Sequence, residues 1–223
     1  MCIGKNYSEH VKEVDSTLPG ISNASVPTAP IVFCKAAGSV CGPQDAIQLP
    51  HGWEQVDYEG ELGVVIGRPG RGIPASAWRD HVFGYTVVND VSARDVQKRH
   101  QQWFLAKSAD TFCPTGPWIV PRAGWMGATH GDGQPAVRLR TWVDGQLRQD
   151  GNTADMMFRI PQLLETISAG MTLRAGDVIA TGTPAGVGAG FKPPKWLAPG
   201  ATVRVEVDQV GVIENRVIAR SKQ

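Results

Sequence analysis

The sequence predicts one β-rich α+β domain with few short helices. Glycine (26 residues) and proline (16 residues) recur between short apolar runs, which favours strands linked by turns over a helix bundle. Helical signals are few, and the strands do not alternate regularly with long helices, so a doubly wound parallel sheet is not expected. A length of 223 residues suits a single domain, here residues 1–223, that buries a core of its own.

The predicted strands are short runs of apolar or alternating residues that end at turn residues. Asp144 and Gly145 separate two alternating segments, and this pair predicts a two-residue hairpin turn of type I′. In chain order, the strands are predicted at residues 31–34, 62–66, 82–89, 137–143, 146–148, 178–181, 202–207 and 212–219.

Three segments carry helical signals. Residues 8–14 are predicted to form a short helix. The segment 161–168 begins with Pro161, which the first turn of a helix tolerates, and Gly170 follows just beyond its end. Residues 93–104 contain neither glycine nor proline, so they are predicted to be partly helical.

Composition excludes several classes of function. A formal net charge of +1 leaves no basic stripe for nucleic acid and no acidic tail. No apolar run reaches the roughly 20 residues that span a membrane, and no signal peptide opens the sequence, so a cytoplasmic protein is expected. The cysteines form no CxxC pair and no zinc-type spacing, and we expect them to be reduced and partly buried. They are Cys2, Cys34, Cys41 and Cys113.

Two glutamates precede the apolar strand predicted at residues 62–66. Because side chains repeat every two residues along a strand, Glu59 and Glu61 are expected on the same face. Two carboxylates that close repel each other unless a cation lies between them. A solvated strand edge, where salt screens the repulsion, is the alternative. The apolar run that follows favours a segment that enters the interior.

A third carboxylate, Asp90, directly follows the strand predicted at residues 82–89. Asp90 could cap the next segment, a role that Ser92 would fill equally well, or it could be a third oxygen ligand. Three carboxylates without a histidine or cysteine partner suit a hard cation such as Mg²⁺, with Mn²⁺ or Ca²⁺ as substitutes. Mg²⁺ usually keeps several waters, which leaves positions for a chelating substrate.

His10 and Glu13 are three residues apart, so one helical turn would place them on the same face. A carboxylate bonded to one imidazole nitrogen strengthens the other nitrogen as a base, although a solvated surface pair is the alternative. The rest of residues 10–27 is rich in serine, aspartate, proline and glycine, which favours a mobile lid over bound substrate.

The chain resembles the fumarylacetoacetate hydrolase family in five blocks that follow the family's order and span nearly the whole sequence. Ala109 departs from the family's pattern, in which phenylalanine is common at this position. Residues 2–10 resemble C-x-G-x-N-Y-x-x-H, 57–67 resemble D-Y-E-x-E-L-x-V-V-I-G, 89–97 resemble N-D-x-S-A-R-D-x-Q, 107–117 resemble K-S-x-D-x-x-x-P-x-G-P, and 181–188 resemble T-G-T-P-x-G-V-G.

This resemblance implies a rolled mixed β-sheet fold, a homodimer and the short, acylpyruvase-like branch of the family. It implies that Mg²⁺ is held by Glu59, Glu61 and Asp90. The catalytic residues that it implies are His10 and Glu13 as a general-base dyad, with Lys107 polarising a substrate oxygen. The substrate-binding residues that it implies are Arg94, Gln97 and Thr183.

The expected reaction is hydrolysis of a carbon–carbon bond in a small anionic 2-oxo acid of the acylpyruvate type. His10 with Glu13 would activate the water, and the metal would stabilise the departing enolate. The same enolate chemistry also supports oxaloacetate decarboxylation or tautomerisation and isomerisation of hydroxymuconate-type dioates, and the sequence does not choose among them. A non-catalytic protein that binds small acids or cations is a further alternative, against which the presence of His10 and Lys107 argues.

Overall fold

The computed structural model describes residues 1–17 and 26–220. In chain order, the strands of this part are β1 (Cys2–Gly4), β2 (Ile31–Phe33), β3 (Val40–Cys41), β4 (Ile47–Leu49), β5 (Val56–Asp57), β6 (Gly60–Ile66), β7 (Val82–Asn89), β8 (Ser92–Ala93), β9 (Cys113–Pro121), β10 (Arg138–Val143), β11 (Gln146–Asn152), β12 (Val178–Ala180), β13 (Thr202–Val207) and β14 (Gly211–Ala219). The α-helices are α1 (Ser8–Thr17), α2 (Trp78–His81), α3 (Arg94–His100), α4 (Trp103–Lys107) and α5 (Ile160–Gly170).

Two mixed sheets form the body of the fold. One runs in the order β2-β1-β12-β6-β7-β9-β3, and the other runs in the order β11-β10-β13-β14-β4, while β5 and β8 pair separately. Parallel pairs join β1 to β12, β3 to β9 and β4 to β14, and the other pairs are antiparallel. The larger sheet curls into a half-barrel. The prediction of a β-rich α+β fold with a rolled mixed sheet and few short helices is confirmed.

The hydrophobic core lies where β10, β13 and β14 pack against β6 and β7. Every residue of β6 is buried, which explains why its sequence reads as a continuous apolar run and not as an alternation. Strands β10 and β13 instead alternate between buried and more exposed positions, since one face of their sheet meets the core and the other faces outward.

Most predicted strands are present within a residue or two of their expected ends. The hairpin turn between β10 and β11 is also confirmed: Val143 pairs with Gln146, and Asp144 and Gly145 have φ angles of 50° and 74°. Both central residues of a type I′ turn require positive φ. Strand β11 continues to Asn152, beyond the expected end at residue 148.

Strand β9 was not predicted, because Pro114, Gly116, Pro117 and Pro121 argue against a strand. It pairs with β7 along one side, with an interruption in register, while only the two-residue β3 lies along its other side. A strand near the edge of a sheet tolerates prolines, since fewer of its N–H groups are needed for pairing.

The helix predictions are confirmed for α1 and α5, and residues 93–104 are partly helical as expected. That segment forms two helices, α3 and α4, which are separated where Gln101 adopts a φ of 58°. The predicted lid at residues 10–27 is α1 as far as Thr17, and its residues 18–25 lie outside the described residues. Among the described residues, no helix is both long and apolar enough to cross a membrane.

Candidate metal and substrate site

Three buried carboxylates meet where β6 begins and β7 ends. Glu59 directly precedes β6, Glu61 belongs to it, and Asp90 directly follows β7. Gly60 pairs with Asn89 across the two strands, so the pairing register brings these residues together. One carboxylate oxygen from each of the three residues lies within 4.8 Å of the other two. The sequence had predicted this trio as a metal-binding set.

Three cations surround the carboxylates. Lys107 Nζ donates to Glu59 Oε2 at 2.6 Å and to Asp90 Oδ2 at 2.7 Å. Lys35 Nζ donates to the other oxygen of Asp90 at 2.5 Å, and Arg94 Nη2 donates to Glu59 Oε1. Glu59 and Asp90 are therefore each held by two cationic groups, which fixes the direction of their carboxylates.

Arg94 is itself held in place by neighbouring side chains. Its Nε donates to Asp57 Oδ1 at 2.8 Å, and its Nη1 donates to Gln97 Oε1 at 3.3 Å. The Ala189 N–H donates to Asp57 Oδ2 at 2.9 Å. Burial raises the pKa of Asp57 although Arg94 opposes that shift. The guanidinium is thus a fixed part of the site wall, with Gln97 beside it.

The two glutamates differ in their electrostatic environment. Burial alone would raise the pKa of Glu59, but Lys107 and Arg94 outweigh burial and lower that pKa. The pKa of Glu61 is raised by burial and by the adjacent Asp90 and Glu59. Glu61 Oε2 accepts one hydrogen bond, at 2.6 Å, from the backbone N–H of Gly182. Among the described residues, no side-chain cation bonds to Glu61, so negative charge at this ligand is the least compensated of the three.

The carboxylates therefore fit a divalent cation with oxygen ligands. Glu61 lacks a cationic partner among the described residues although it is buried beside two other carboxylates. A hard cation such as Mg²⁺ binds carboxylate oxygens and would relieve this repulsion. The donor set contains neither thiolate nor imidazole, which argues against a softer metal.

His10 and Glu13 lie together on α1, as expected from their spacing. His10 Nδ1 is 3.7 Å from Glu13 Oε2, which is longer than a hydrogen bond. Both oxygens of Glu13 accept from the backbone N–H of Gly186 at 3.0 Å, so the carboxylate is fixed by the turn that follows β12. His10 is buried and faces the carboxylate cluster, where its charge would favour ionised Glu59.

One pocket brings most of the expected site residues together. Its polar wall contains His10, Lys107, Glu59, Glu61, Arg94, Gln97 and Thr183. The rest of the lining includes the apolar Ile3, Phe33 and Trp103, and Lys5 adds a further basic residue. Glu13 and Asp90 lie behind this lining, beside His10 and Lys107 respectively. A small acid could thus reach the carboxylate cluster, the histidine and the lysine from a single position.

The model of the fumarylacetoacetate (FAA) hydrolase C-terminal family matches residues 1–218. The chain belongs to the FAA hydrolase family. Among curated members of this family, it is 46% identical to oxaloacetate tautomerase YisK of Bacillus subtilis (strain 168), over 97% of this chain and 68% of that protein. It is 42% identical to the human mitochondrial oxaloacetate tautomerase FAHD2A, over 98% of this chain and 66% of that protein. The chain thus spans about two thirds of the length of these relatives.

Solved structures of FAA hydrolase family proteins resemble the whole chain. One is the fumarylacetoacetate hydrolase EaFAH from the psychrophilic Exiguobacterium antarcticum, with 45% identity, a TM-score of 0.83 and coverage of 98% of this chain and 74% of that chain. Another is 5-carboxymethyl-2-hydroxymuconate delta-isomerase from Mycobacterium smegmatis, with 41% identity, a TM-score of 0.82 and coverage of 99% and 78%.

Two residues that contact the residues of this site were not predicted from the sequence. Lys35 follows the strand predicted at residues 31–34, but nothing around it distinguishes it from a solvated lysine. Gln149 is fully buried and bonds to Gly60 and Thr183, although it lies on the other sheet. Burial does not alternate along β11 around Gln149, so no local pattern marks it as a residue that points inward.

Proposed function

We propose that this protein is a metal-dependent tautomerase that interconverts the keto and enol forms of oxaloacetate or a closely related 2-oxo dicarboxylic acid. The observation that carries this proposal is the buried trio of Glu59, Glu61 and Asp90 beside His10 and Lys107. The similarity to two oxaloacetate tautomerases supports this activity over the carbon–carbon hydrolysis expected first. The structure of a hydroxymuconate delta-isomerase also supports a reaction that shifts a proton without adding water.

In this proposal, Glu59, Glu61 and Asp90 hold Mg²⁺, which Mn²⁺ or Ca²⁺ could replace. When bound, the cation supplies a Lewis acid that stabilises negative charge on the enolate oxygen of the substrate. Lys107 contributes a second positive charge at the same place. Burial alone would lower the pKa of Lys107, but Asp90 and Glu59 raise it, so the ammonium keeps its proton at neutral pH.

The proton transfer falls to His10. Its imidazole would take the proton from C3 of the keto form, which breaks that C–H bond and leaves the electron pair in the enolate. The proton then returns to the oxygen on C2, so that the enol forms with no other reactant. Glu13 is fixed by the Gly186 N–H, and its carboxylate, 3.7 Å from His10 Nδ1, would orient the imidazole.

Substrate positioning is assigned to Arg94, Gln97 and Thr183, which share the pocket with His10 and Lys107. A homodimer belongs to the same proposal, on the basis of family resemblance. The substrate is a small anionic acid, and neither nucleic acid nor a membrane is a partner.

Hydrolysis of an acylpyruvate is the second candidate. The observation that favours it is the His10–Glu13 pair, since a histidine beside a fixed carboxylate can also activate water. The likeness to the fumarylacetoacetate hydrolase of Exiguobacterium antarcticum supports it as well. Tautomerisation needs only a base that moves a proton, whereas hydrolysis also needs a water placed against the carbonyl carbon.

The test uses metal-stripped protein, to which Mg²⁺ is restored, with enol-oxaloacetate and a panel of acylpyruvates followed by ultraviolet absorbance and product analysis. We expect tautomerisation that requires both Mg²⁺ and His10 and is lost in His10→Ala. The exposed His51 offers the matched control His51→Ala, which should retain full activity. Acylpyruvate cleavage without tautomerisation would select the second candidate, and no turnover of either substrate would overturn both.

A further inference from the structure

We propose that Gln149 is a positioning residue that sets the distance between the metal-binding strand and the Thr183 turn. Gln149 belongs to β11, in the five-stranded sheet, and none of its surface is exposed. The residues that it contacts belong to the opposite sheet and to the turn after β12. This inference rests on the proposed function, because it takes the metal to bind at Glu59 and Glu61 and takes Thr183 to position the substrate.

A closed ring of hydrogen bonds joins Gln149, Gly60 and the turn that contains Thr183. The Gly60 N–H donates to Gln149 Oε1 at 3.0 Å. Gln149 Nε2 donates to Thr183 Oγ1 at 2.7 Å and to the Pro184 carbonyl at 2.8 Å. The Thr183 hydroxyl then donates to the Gly60 carbonyl at 2.9 Å. Both polar groups of Gly60 and the side chain of Thr183 are therefore held by a single ring of partners.

The ring of hydrogen bonds affects the proposed metal site because of the position of Gly60. Gly60 lies between Glu59 and Glu61, so a rotation of its flanking peptides would turn both carboxylates away from a common cation. The same turn that holds Thr183 also holds Glu61, since the Gly182 N–H donates to Glu61 Oε2 at 2.6 Å. A shift of the turn relative to the strand would thus change the metal site and the substrate contact together.

Close packing between the sheets makes Gly60 and Gln149 mutually dependent. A Cβ on Gly60 would lie 2.4 Å from Thr141 Oγ1 and 2.9 Å from Val205 Cγ1, both on the five-stranded sheet. Glycine therefore lets the strand approach closely enough for Gln149 to reach its backbone. Only a carboxamide offers one acceptor and two donors without charge at this spacing.

Two substitutions separate the roles of the amide. Gln149→Glu keeps an acceptor for the Gly60 N–H but loses both donated bonds to Thr183 and Pro184. Gln149→Met keeps the approximate volume and loses all three bonds. The matched control is Gln146→Glu, which adds the same charge at an exposed position of the same strand.

The measurements are the Mg²⁺ dissociation constant by calorimetry, the dissociation constant of oxalate in saturating Mg²⁺, kcat and KM for oxaloacetate, and the melting temperature. Buried partners of metal ligands change metal affinity or activity by roughly 10–100-fold when removed. For Gln149→Glu we expect KM and the oxalate constant to rise at least about tenfold, with Mg²⁺ affinity retained. For Gln149→Met we expect Mg²⁺ affinity to fall by a similar factor as well.

Variants with a lower melting temperature but unchanged KM, oxalate affinity and Mg²⁺ affinity would overturn the proposal, since Gln149 would then only stabilise the fold. If Gln149→Met does not fold, Thr183→Val takes its place, because it breaks the same ring from the other side. The wild-type protein could instead lack tautomerase activity while the Gln149 variants still bind oxalate more weakly than wild type. That outcome would overturn the proposed function and leave the positioning role of Gln149 intact.

Discussion

At the scale of single residues, Glu61 is the most informative of the three proposed metal ligands to change. Glu59 and Asp90 also bond to cationic side chains, so the loss of either would leave the buried Lys107 with one partner fewer and disturb the fold. Glu61 has a backbone donor instead. A glutamine there can still accept from the Gly182 N–H, while it removes a negative charge from a crowded cluster.

We expect Glu61→Gln to fold normally and to bind Mg²⁺ at least roughly 100-fold more weakly, because a direct ligand should exceed the effect of its supporting partners. Tautomerase activity at limiting Mg²⁺ should fall in parallel. Calorimetric titration of metal-stripped protein checks the affinity. The exposed Glu54 supplies the control Glu54→Gln, which should bind as wild type. Unchanged Mg²⁺ affinity in Glu61→Gln would show that Glu61 is not a ligand.

A second prediction at this scale concerns the other carboxylate of a dicarboxylic substrate. Lys5 lines the same pocket as Arg94 and Lys107, which places its ammonium within the site that the substrate would enter. We expect Lys5→Met to raise KM for oxaloacetate about tenfold, since a hydrogen bond to a charged group contributes about 1.5–3 kcal/mol. Inhibition by pyruvate, which lacks the second carboxylate, should not change.

The check is to measure KM for oxaloacetate and the inhibition constant of pyruvate for wild type, Lys5→Met and Lys12→Met. Lys12 is an exposed lysine on α1 that pairs with Glu9, so its loss should affect neither constant. An equal loss of affinity for oxaloacetate and pyruvate in Lys5→Met would contradict a specific contact between Lys5 and the second carboxylate.

The site residues that the sequence predicts without a family resemblance are those whose signals are local. Glu59 and Glu61 are marked by strand alternation, and Asp90 by its place directly after an apolar strand. Lys35 and Gln149 have no such signal, because their partners lie 55 and 89 positions away in the sequence. Contacts of that kind depend on strand order and on the packing of two sheets, which local patterns do not encode.

At the scale of elements, turn chemistry was the most dependable signal. The Asp144-Gly145 pair predicts its hairpin because both residues must adopt positive φ, and they do. The break between α3 and α4 had no such warning, since Gln101 is an uncommon residue for a φ of 58°. Strand β9 was not predicted because its prolines reflect a position near the edge of the sheet and not the absence of a strand.

The hairpin leads to an element-scale prediction. Gly145 has a φ of 74° and open space where a Cβ would be, so an alanine there meets backbone strain without a clash. We expect Gly145→Ala to lower the free energy of unfolding by about 1–2 kcal/mol, as a left-handed L-residue does. Urea denaturation checks this value.

The matched control for this prediction is Gly38→Ala, since Gly38 also has open space around its Cβ position but does not adopt a positive φ. It should leave the unfolding midpoint nearly unchanged. Gln149 lies on β11, which begins directly after Gly145, so a frayed hairpin would also weaken the hydrogen bonds between Gln149 and Gly60. The Mg²⁺ affinity of Gly145→Ala measures this second effect. Equal midpoints for both variants would argue against strain at the turn.

At the scale of the whole molecule, the sequence predicts the fold class but not the order of the strands. The larger sheet places β12 between β1 and β6, so Cys2 pairs with Ala180 and Val178 with Val65. Nothing in the short apolar runs themselves specifies such distant partners. The class follows from composition and periodicity, whereas the order follows from the packing of the two sheets. The division into one domain and the homodimer stay predictions.

The metal is expected to stabilise the entire fold, because its three proposed ligands lie where β6 begins and β7 ends, in the interior of the larger sheet. A cation that binds only the folded state adds about 2.7 kcal/mol at 100 times its dissociation constant. We therefore expect Mg²⁺ to raise the melting temperature of wild type and EDTA to reverse the rise. Glu61→Gln should show no shift, and NaCl at matched ionic strength should reproduce none of it. A wild-type melting temperature that is independent of Mg²⁺ would mean that the buried carboxylates are neutralised by Lys35, Arg94 and Lys107 alone.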